Sequence, residues 1–398
     1  MLEEPLAQET LDEIAEAEIE EPTERVLTDH DIEEAYSDAS FRVIYQSNNY
    51  FLPQIRDLIN NREVLNLRPE YQRRLRWTTK QKSLLIESLL LNIPIPPIFL
   101  YESDLARYEV MDGQQRLSAV HQFLENEFSL TGLEKLTYLS DRSYKVLPPK
   151  VRRGLDRASL SAIVLLHETR GDESDPYVVR RLVFERLNTG GRPLNPQEIR
   201  NSLFRGPFNE MIVELARNDT FCRIFNIPAY TETDLNEYYE NPERQKNRLY
   251  RTMADCQIVL RFFALLNDDD IRGSMRSILD RCMTKNQNAV DDALNDYRRA
   301  FVSAIETCHE IYEDETFLLP PSEKGTRRLS VALYDANMVA LYRRRTRINE
   351  LVQRRDLIRS KISELLRTQP ALLTAKANTA QSIKDRIAEV GRVFDGVL

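Results

Sequence analysis

The chain has 398 residues, 42% hydrophobic and 30% charged, with a net charge of −8, enough for two domains with cores of their own. The charge is uneven: residues 1–40 hold fifteen Asp/Glu against one Arg, a charge of −14 that leaves +6 for the remainder. The first residues carry no cationic segment followed by an apolar run, and the most apolar stretch, Leu84–Tyr101, is broken by Glu87, Asn92 and three prolines, so neither a secretory signal nor a membrane span is expected.

Residues 1–40 are too acidic and too poor in aromatic residues to form a core, and are expected to be a solvated, disordered arm. A second reading makes the arm a decoy that competes with nucleic acid for a basic groove. Residues 41–205 mix two periodicities. Thr78–Leu91 carries Leu85, Ile86, Leu89 and Leu90 at helical spacing, Thr78 and Gln81 can form a capping box, and Asn92 and Pro94 stop the helix. Pro96–Glu102 and Arg107–Met111 are predicted strands joined at a Ser-Asp turn, and Leu160–Thr169 is a third.

Residues 206–398 read as helix almost throughout, with apolar residues at three-and-four spacing and few glycines. Tyr342–Arg367 holds nine Lys/Arg against three acids; a solvated helix face and a phosphate-backbone contact surface both fit. Cys222, Cys256, Cys282 and Cys308 show no metal-ligand or disulfide-framework spacing, which suits reduced core thiols in a cytoplasmic protein. The predicted fold class is α+β: a small mixed domain followed by an all-α domain.

Three stretches carry residues that local structure does not fully explain. In Glu109–Val120, "EVMDGQQRLSAV", a strand gives way to a helix that is expected to pack through Leu117, Val120, His121 and Leu124. Asp112 is a plausible N-cap and Gly113 permits a close backbone approach. Arg116 then falls in the first helical turn, where a cation opposes the helix dipole unless an anion rests there. Gln114 and Gln115 add amides. A capped helix and a phosphate cradle both remain open. In Val183–Phe204, Asn195, Pro196 and Glu198 form a well-signalled helix start. Gly190 and Gly191 end the preceding helix, but Glu185, Arg186, Asn188 and Arg192 are left clustered near its end. In Leu67–Ser83, Arg73, Arg74 and Arg76 precede the single tryptophan, Trp77. That pattern fits phosphate forks beside a stacking ring or a core tryptophan under a basic surface.

Taken together, "PEYQRRLRW", "YEVMDGQQRLSAV" and "VFERLNTGGRPLNPQEIRNSLF" resemble the N-terminal domain of GmrSD-type restriction enzymes. That domain is related to the ParB/sulfiredoxin fold and also occurs in phosphorothioate-sensing defence proteins. The resemblance implies nucleotide binding and hydrolysis that license action on DNA. Asp112, Gly113, Gln114, Gln115 and Arg116 would hold the triphosphate, with Asp112, Gln115 and Arg116 in catalysis. Gln72, Arg73, Glu185, Arg186 and Asn188 would face the same cleft. Mg²⁺, taken by Asp112, would offset phosphate charge. Relatives often carry a His-Asn-His nuclease domain, whereas His30, His121, His167 and His309 fall in no such motif. The expected role is an NTPase subunit of a restriction or anti-phage defence system, acting on DNA with a separate nuclease. The alternatives are a nucleotide-gated DNA-binding module without hydrolysis, or a stand-alone nuclease. The nucleotide and any homo-oligomer stay open.

Overall fold

The computed structural model describes residues 28–30, 33, 44–67, 77–166, 181–183, 186, 195–204, 206–231, 241–321, 327–373 and 379–398. Contacts divide the chain into two compact units at Leu194/Asn195.

The first unit is built on a five-stranded mixed sheet. Its elements are β1 (Tyr45–Phe51), α1 (Leu52–Asn60), β2 (Leu65–Asn66), α2 (Thr79–Leu90), β3 (Ile98–Asp104), β4 (Arg107–Asp112), α3 (Gln114–Leu124), α4 (Pro149–Asp156) and β5 (Ser159–Leu165). The strand order is β1-β5-β3-β4-β2. The β5–β3 and β4–β2 pairs are parallel, and the other two are antiparallel. Alternate residues of a strand face opposite sides, and in β3 Ile98, Leu100 and Glu102 are the buried ones. Ile98 and Leu100 join Val110, Leu160, Ala162 and Val164 in one core with Leu85, Ile86 and Leu89 of α2 and Leu117, Val120 and Phe123 of α3. Each fully buried Leu, Val or Phe there contributes roughly 1.5–3 kcal/mol.

The capping box at Thr78 forms as expected: its hydroxyl accepts from the Gln81 N–H at 3.3 Å, and Gln81 Oε1 accepts from the Thr78 N–H at 2.9 Å. Asn92 takes a positive φ of 54° and ends the helix. The β3–β4 turn comes later than the expected Ser-Asp pair, at Leu105 and Ala106, with Ala106 at φ 58°. The third expected strand ends at Leu165, and its last predicted residues, 167–169, lie outside the described ones.

The second unit is helical. Its main elements are α5 (Pro196–Leu203), α6 (Pro207–Leu215), α7 (Ala254–Ala264), α8 (Met275–Asn286), α9 (Asp291–Tyr312), α10 (Val331–Arg343), α11 (Arg355–Thr368) and α12 (Ala380–Asp395). α10 is buried on every side from Val331 to Leu341, the mark of a central helix. Its Asp335 forms an ion pair with Arg261 of α7 in the interior, both side chains nearly inaccessible. Phe262 and Phe301 meet edge to face at 5.7 Å, and Phe208 and Phe263 do the same. The expected capping box at Asn195 is present, Oδ1 accepting from the Gln197 and Glu198 N–H groups at 2.9 and 3.0 Å. The helix it starts belongs to the helical unit. Arg200 Nε reaches Asp280 Oδ1 of α8 at 2.6 Å in a buried ion pair. All four cysteines are buried and free of disulfides. Among the described residues no helix is long and apolar enough to cross a membrane.

Candidate functional site

β4 ends at Asp112, opposite Phe99 of β3, and α3 begins at Gln114. Gly113 makes the turn between them with φ 91° and ψ 11°, a left-handed conformation that disfavours any residue with a Cβ. A Cβ on Gly113 would also stand 2.5 Å from Cγ2 of Ile98. The close approach that demands glycine is therefore to β3.

Gly113, and not Asp112, occupies the N-cap, and no side chain caps the helix. This corrects the expected role of Asp112, whose carboxylate turns to another partner. Its Oδ2 accepts from Nη2 of Arg116 at 2.6 Å, and the same nitrogen donates to the Pro97 carbonyl at 3.3 Å. The first-turn cation thus has an anion within its own chain, one turn back. The pair is partly sheltered, with 15% of the Arg116 side chain and 32% of the Asp112 side chain exposed. Nε of Arg116 is buried without a hydrogen-bond partner among the described residues.

The two glutamines differ. Gln114 is 2% exposed, with its side-chain amide enclosed by the domain. Gln115 is half-buried, and its Oε1 accepts from the Trp77 N–H at 3.4 Å. Trp77 packs against the core of the mixed unit, which favours the core reading of that residue. His121, expected to pack inward, is not a core residue: its Nε2 lies 2.9 Å from Asn60 Oδ1, and Phe123 fills the core position instead. The structure therefore gathers Asp112, Gly113, Gln115 and Arg116 with Pro97 and Trp77. Arg186 is exposed on a helical segment. Gln72, Arg73, Arg74, Arg76, Glu185, Asn188 and Arg192 lie outside the described residues.

Residues 55–205 match the family model of the GmrSD restriction endonuclease, N-terminal domain. Over these residues the chain is similar to a GmrSD N-terminal domain. No curated protein and no solved structure matches the chain. The GmrSD match runs past Leu194 into α5, so its last helix packs within the helical unit.

Sequence reasoning missed the residue that braces the mixed unit beside α3. Glu87, noted only as a break in an apolar run, is 4% exposed on α2. Its carboxylate accepts three backbone N–H groups, from Glu134 at 3.1 Å, Lys135 at 2.7 Å and Leu136 at 2.6 Å. Burial pushes its pKa up, but the N–H groups of Leu136, Lys135 and Glu134 outweigh burial and hold it below its ordinary value. A neighbour on the same helix, Ser83, accepts from the Thr131 N–H at 3.0 Å. Lys82 Nζ donates to Gln122 Oε1 of α3 at 2.8 Å, so one face of α2 fixes both the 131–136 segment and α3. The available signal was a lone carboxylate among leucines, since a buried charge requires donors.

The basic run Tyr342–Arg367 is mostly engaged within the helical unit. Arg343 pairs with Asp268 at 2.7 Å, Arg344 with Asp395 at 2.5 Å and Arg347 with Glu350 at 2.9 Å. Arg354 and Arg359 donate to the carbonyls of Val397 and Ile311. Arg355 and Arg367 are exposed. Structural pairing accounts for most of this charge.

No group of three or more His, Cys, Asp or Glu able to hold a metal occurs among the described residues. Asp112 is a single carboxylate at the turn, a donor set that fits Mg²⁺ held chiefly by phosphate oxygens and water.

Proposed function

We propose that the chain is an NTP-binding and hydrolysing subunit of a DNA restriction or anti-phage defence system, working with a separate nuclease. The observation that carries this reading is the Asp112–Arg116 pair at the strand-to-helix turn of a domain matched to GmrSD restriction endonucleases. A magnesium–triphosphate presents both opposite charges to that pair. Its phosphates compete with Asp112 for the guanidinium, a planar fork suited to phosphate oxygens. Released from Arg116, the Asp112 carboxylate is free for the cation. Bound there, Mg²⁺ would neutralise phosphate charge and polarise the phosphoryl group. The first-turn N–H groups of α3 have no intrahelical acceptors and point toward the same anion, and Gln115 adds an amide beside them. In this reading Gln72, Arg73, Glu185, Arg186 and Asn188 line the rest of a ParB-like cleft.

A thermal-shift series with ATP, GTP and CTP plus Mg²⁺ tests binding. A ligand at a hundred times its dissociation constant adds roughly 2.7 kcal/mol to stability. Phosphate release with and without DNA then tests hydrolysis. Binding without release would favour a nucleotide-gated DNA-binding module. Plasmid linearised by nuclease-free protein, with activity lost in Asp112→Ala, would favour a stand-alone nuclease. No shift and no release with any nucleotide would end the nucleotide reading.

A further inference from the structure

The helical unit contains a cavity of about 480 Å³ between α9 and the end of α10. Ala300 and Ala304, one turn apart on α9, contribute little volume and leave a floor completed by Leu341. One wall is Tyr342. Its ring is held by an edge-to-face contact with Phe262, at 5.8 Å and 89°. The guanidinium of Arg345 lies over that ring, 4.7 Å from its centre, and Nη1 donates to the Tyr342 carbonyl at 3.3 Å. Arg299, paired with Asp296, stands at the mouth. Two guanidiniums and one carboxylate therefore surround a slot with an apolar floor and an aromatic wall.

Each part narrows the ligand. An inorganic anion would leave the alanine floor and the ring unused. A wholly apolar ligand would leave the Arg345 guanidinium without a counter-charge. A flat heterocycle can stack on the arginine–tyrosine layer, and an attached anion can meet the forks of Arg299 and Arg345. The volume lies within the usual range of small-ligand sites. We propose that this cavity binds a nucleobase carrying a phosphate, either as a free nucleotide or as one residue of a single strand. This site is separate from the β4–α3 turn, and the inference does not rest on the function proposed for that turn.

Photocrosslinking to the full chain tests it. One arm uses 8-azidoadenosine monophosphate, and the other uses a single-stranded oligodeoxynucleotide carrying 5-iodouracil. Adducts are mapped by peptide mass spectrometry. The expected adducts fall on peptides containing Ala300 or Tyr342, and Ala300→Trp should reduce their yield at least about tenfold. Ser303→Trp, at the exposed mouth, serves as a second variant that leaves the interior packing untouched. Adducts from the mononucleotide alone assign a free nucleotide, and adducts from the oligonucleotide alone assign a strand. Arg116→Ala should leave these yields unchanged, which separates this site from the one at the turn. Adducts confined to other peptides, or yields unchanged in both tryptophan variants, would overturn the proposal.

Discussion

The guanidinium of Arg116 reaches back across Gly113 to the carboxylate of Asp112, Nη2 to Oδ2 at 2.6 Å. A cation in the first helical turn is disfavoured by about 0.3–1 kcal/mol, and Asp112 offsets that before any ligand arrives. Arg116→Ala therefore removes a partly sheltered ion pair and should destabilise the empty protein by about 1 kcal/mol, or ~2–4 °C. Phosphate release from NTP should fall at least about tenfold, the change expected for roughly 1.4 kcal/mol of lost transition-state binding. Arg116→Lys should rescue little, because a point charge cannot replace a planar fork. Melting temperature without ligand and steady-state phosphate release are the paired measurements. An alanine variant that melts far earlier but hydrolyses normally when folded would make Arg116 purely structural.

Gly113→Ala should cost about 1–3 kcal/mol in urea denaturation, from a positive φ forced on a residue with a Cβ. Part of that loss is steric, because the new methyl meets Ile98 at 2.5 Å. Ile98→Ala should consequently cost less in the Gly113→Ala protein than in the parent. Strict additivity of the two would show that only backbone strain matters.

Glu87 makes stability depend on acid. Its folded pKa lies below the ordinary value of 4.5, because three N–H donors overcome the effect of burial. A depressed carboxyl contributes stability that is present above its unfolded value and lost as pH falls through its folded value. Glu87→Gln should cost about 2–4 kcal/mol at neutral pH, with the gap to the parent closing below pH 4.5. A gap that stays constant with pH would assign the loss to shape and not to charge.

Arg261 and Asp335 are paired in the interior of the helical unit. Asp335→Ala should cost about 3–5 kcal/mol by leaving a buried cation without its counter-charge, whereas Arg261→Met with Asp335→Leu should lose far less. Denaturant midpoints of the three proteins decide the matter. A double variant as unstable as the single one would mean that the pair contributes net stability.

The acidic arm is tested through salt. Residues 1–40 carry −14 against +6 for the remainder, so their deletion should raise DNA affinity at low ionic strength. The gain should fade as screening grows. Fluorescence anisotropy with a labelled duplex over a salt series measures it, and equal affinities throughout would exclude a decoy role.

What could be read from the sequence was local. The boxes at Thr78 and Asn195 involve residues three apart and were legible as spacing. The α10 helix was legible as apolar residues at three-and-four spacing. β1 was not, because "YQSNNYF" is polar and mostly exposed and owes its place to pairing with β5. Arg200 and Asp280 stand eighty positions apart, and no periodicity announces such a pair. At the turn the residues were visible, but the ion pair between Asp112 and Arg116 was not foreseen. Asp112 and Arg116 have the i,i+4 spacing of a helical ion pair, and that pairing gives the Arg116 charge a partner within the chain.

The placement of α5 bears on inheritance and transplantation. The family match extends to residue 205, but Arg200 finds its counter-ion on α8 of the helical unit. The recognisable sequence thus runs past the C-terminal end of the segment that folds as one body. A graft cut at residue 205 would carry a helix whose charged residue has left its mate behind, and the recipient would inherit an arginine shaped for another interior. A seam at Leu194/Asn195 leaves that pair intact, and chimaeras joined there should stay soluble where those joined eleven residues later aggregate.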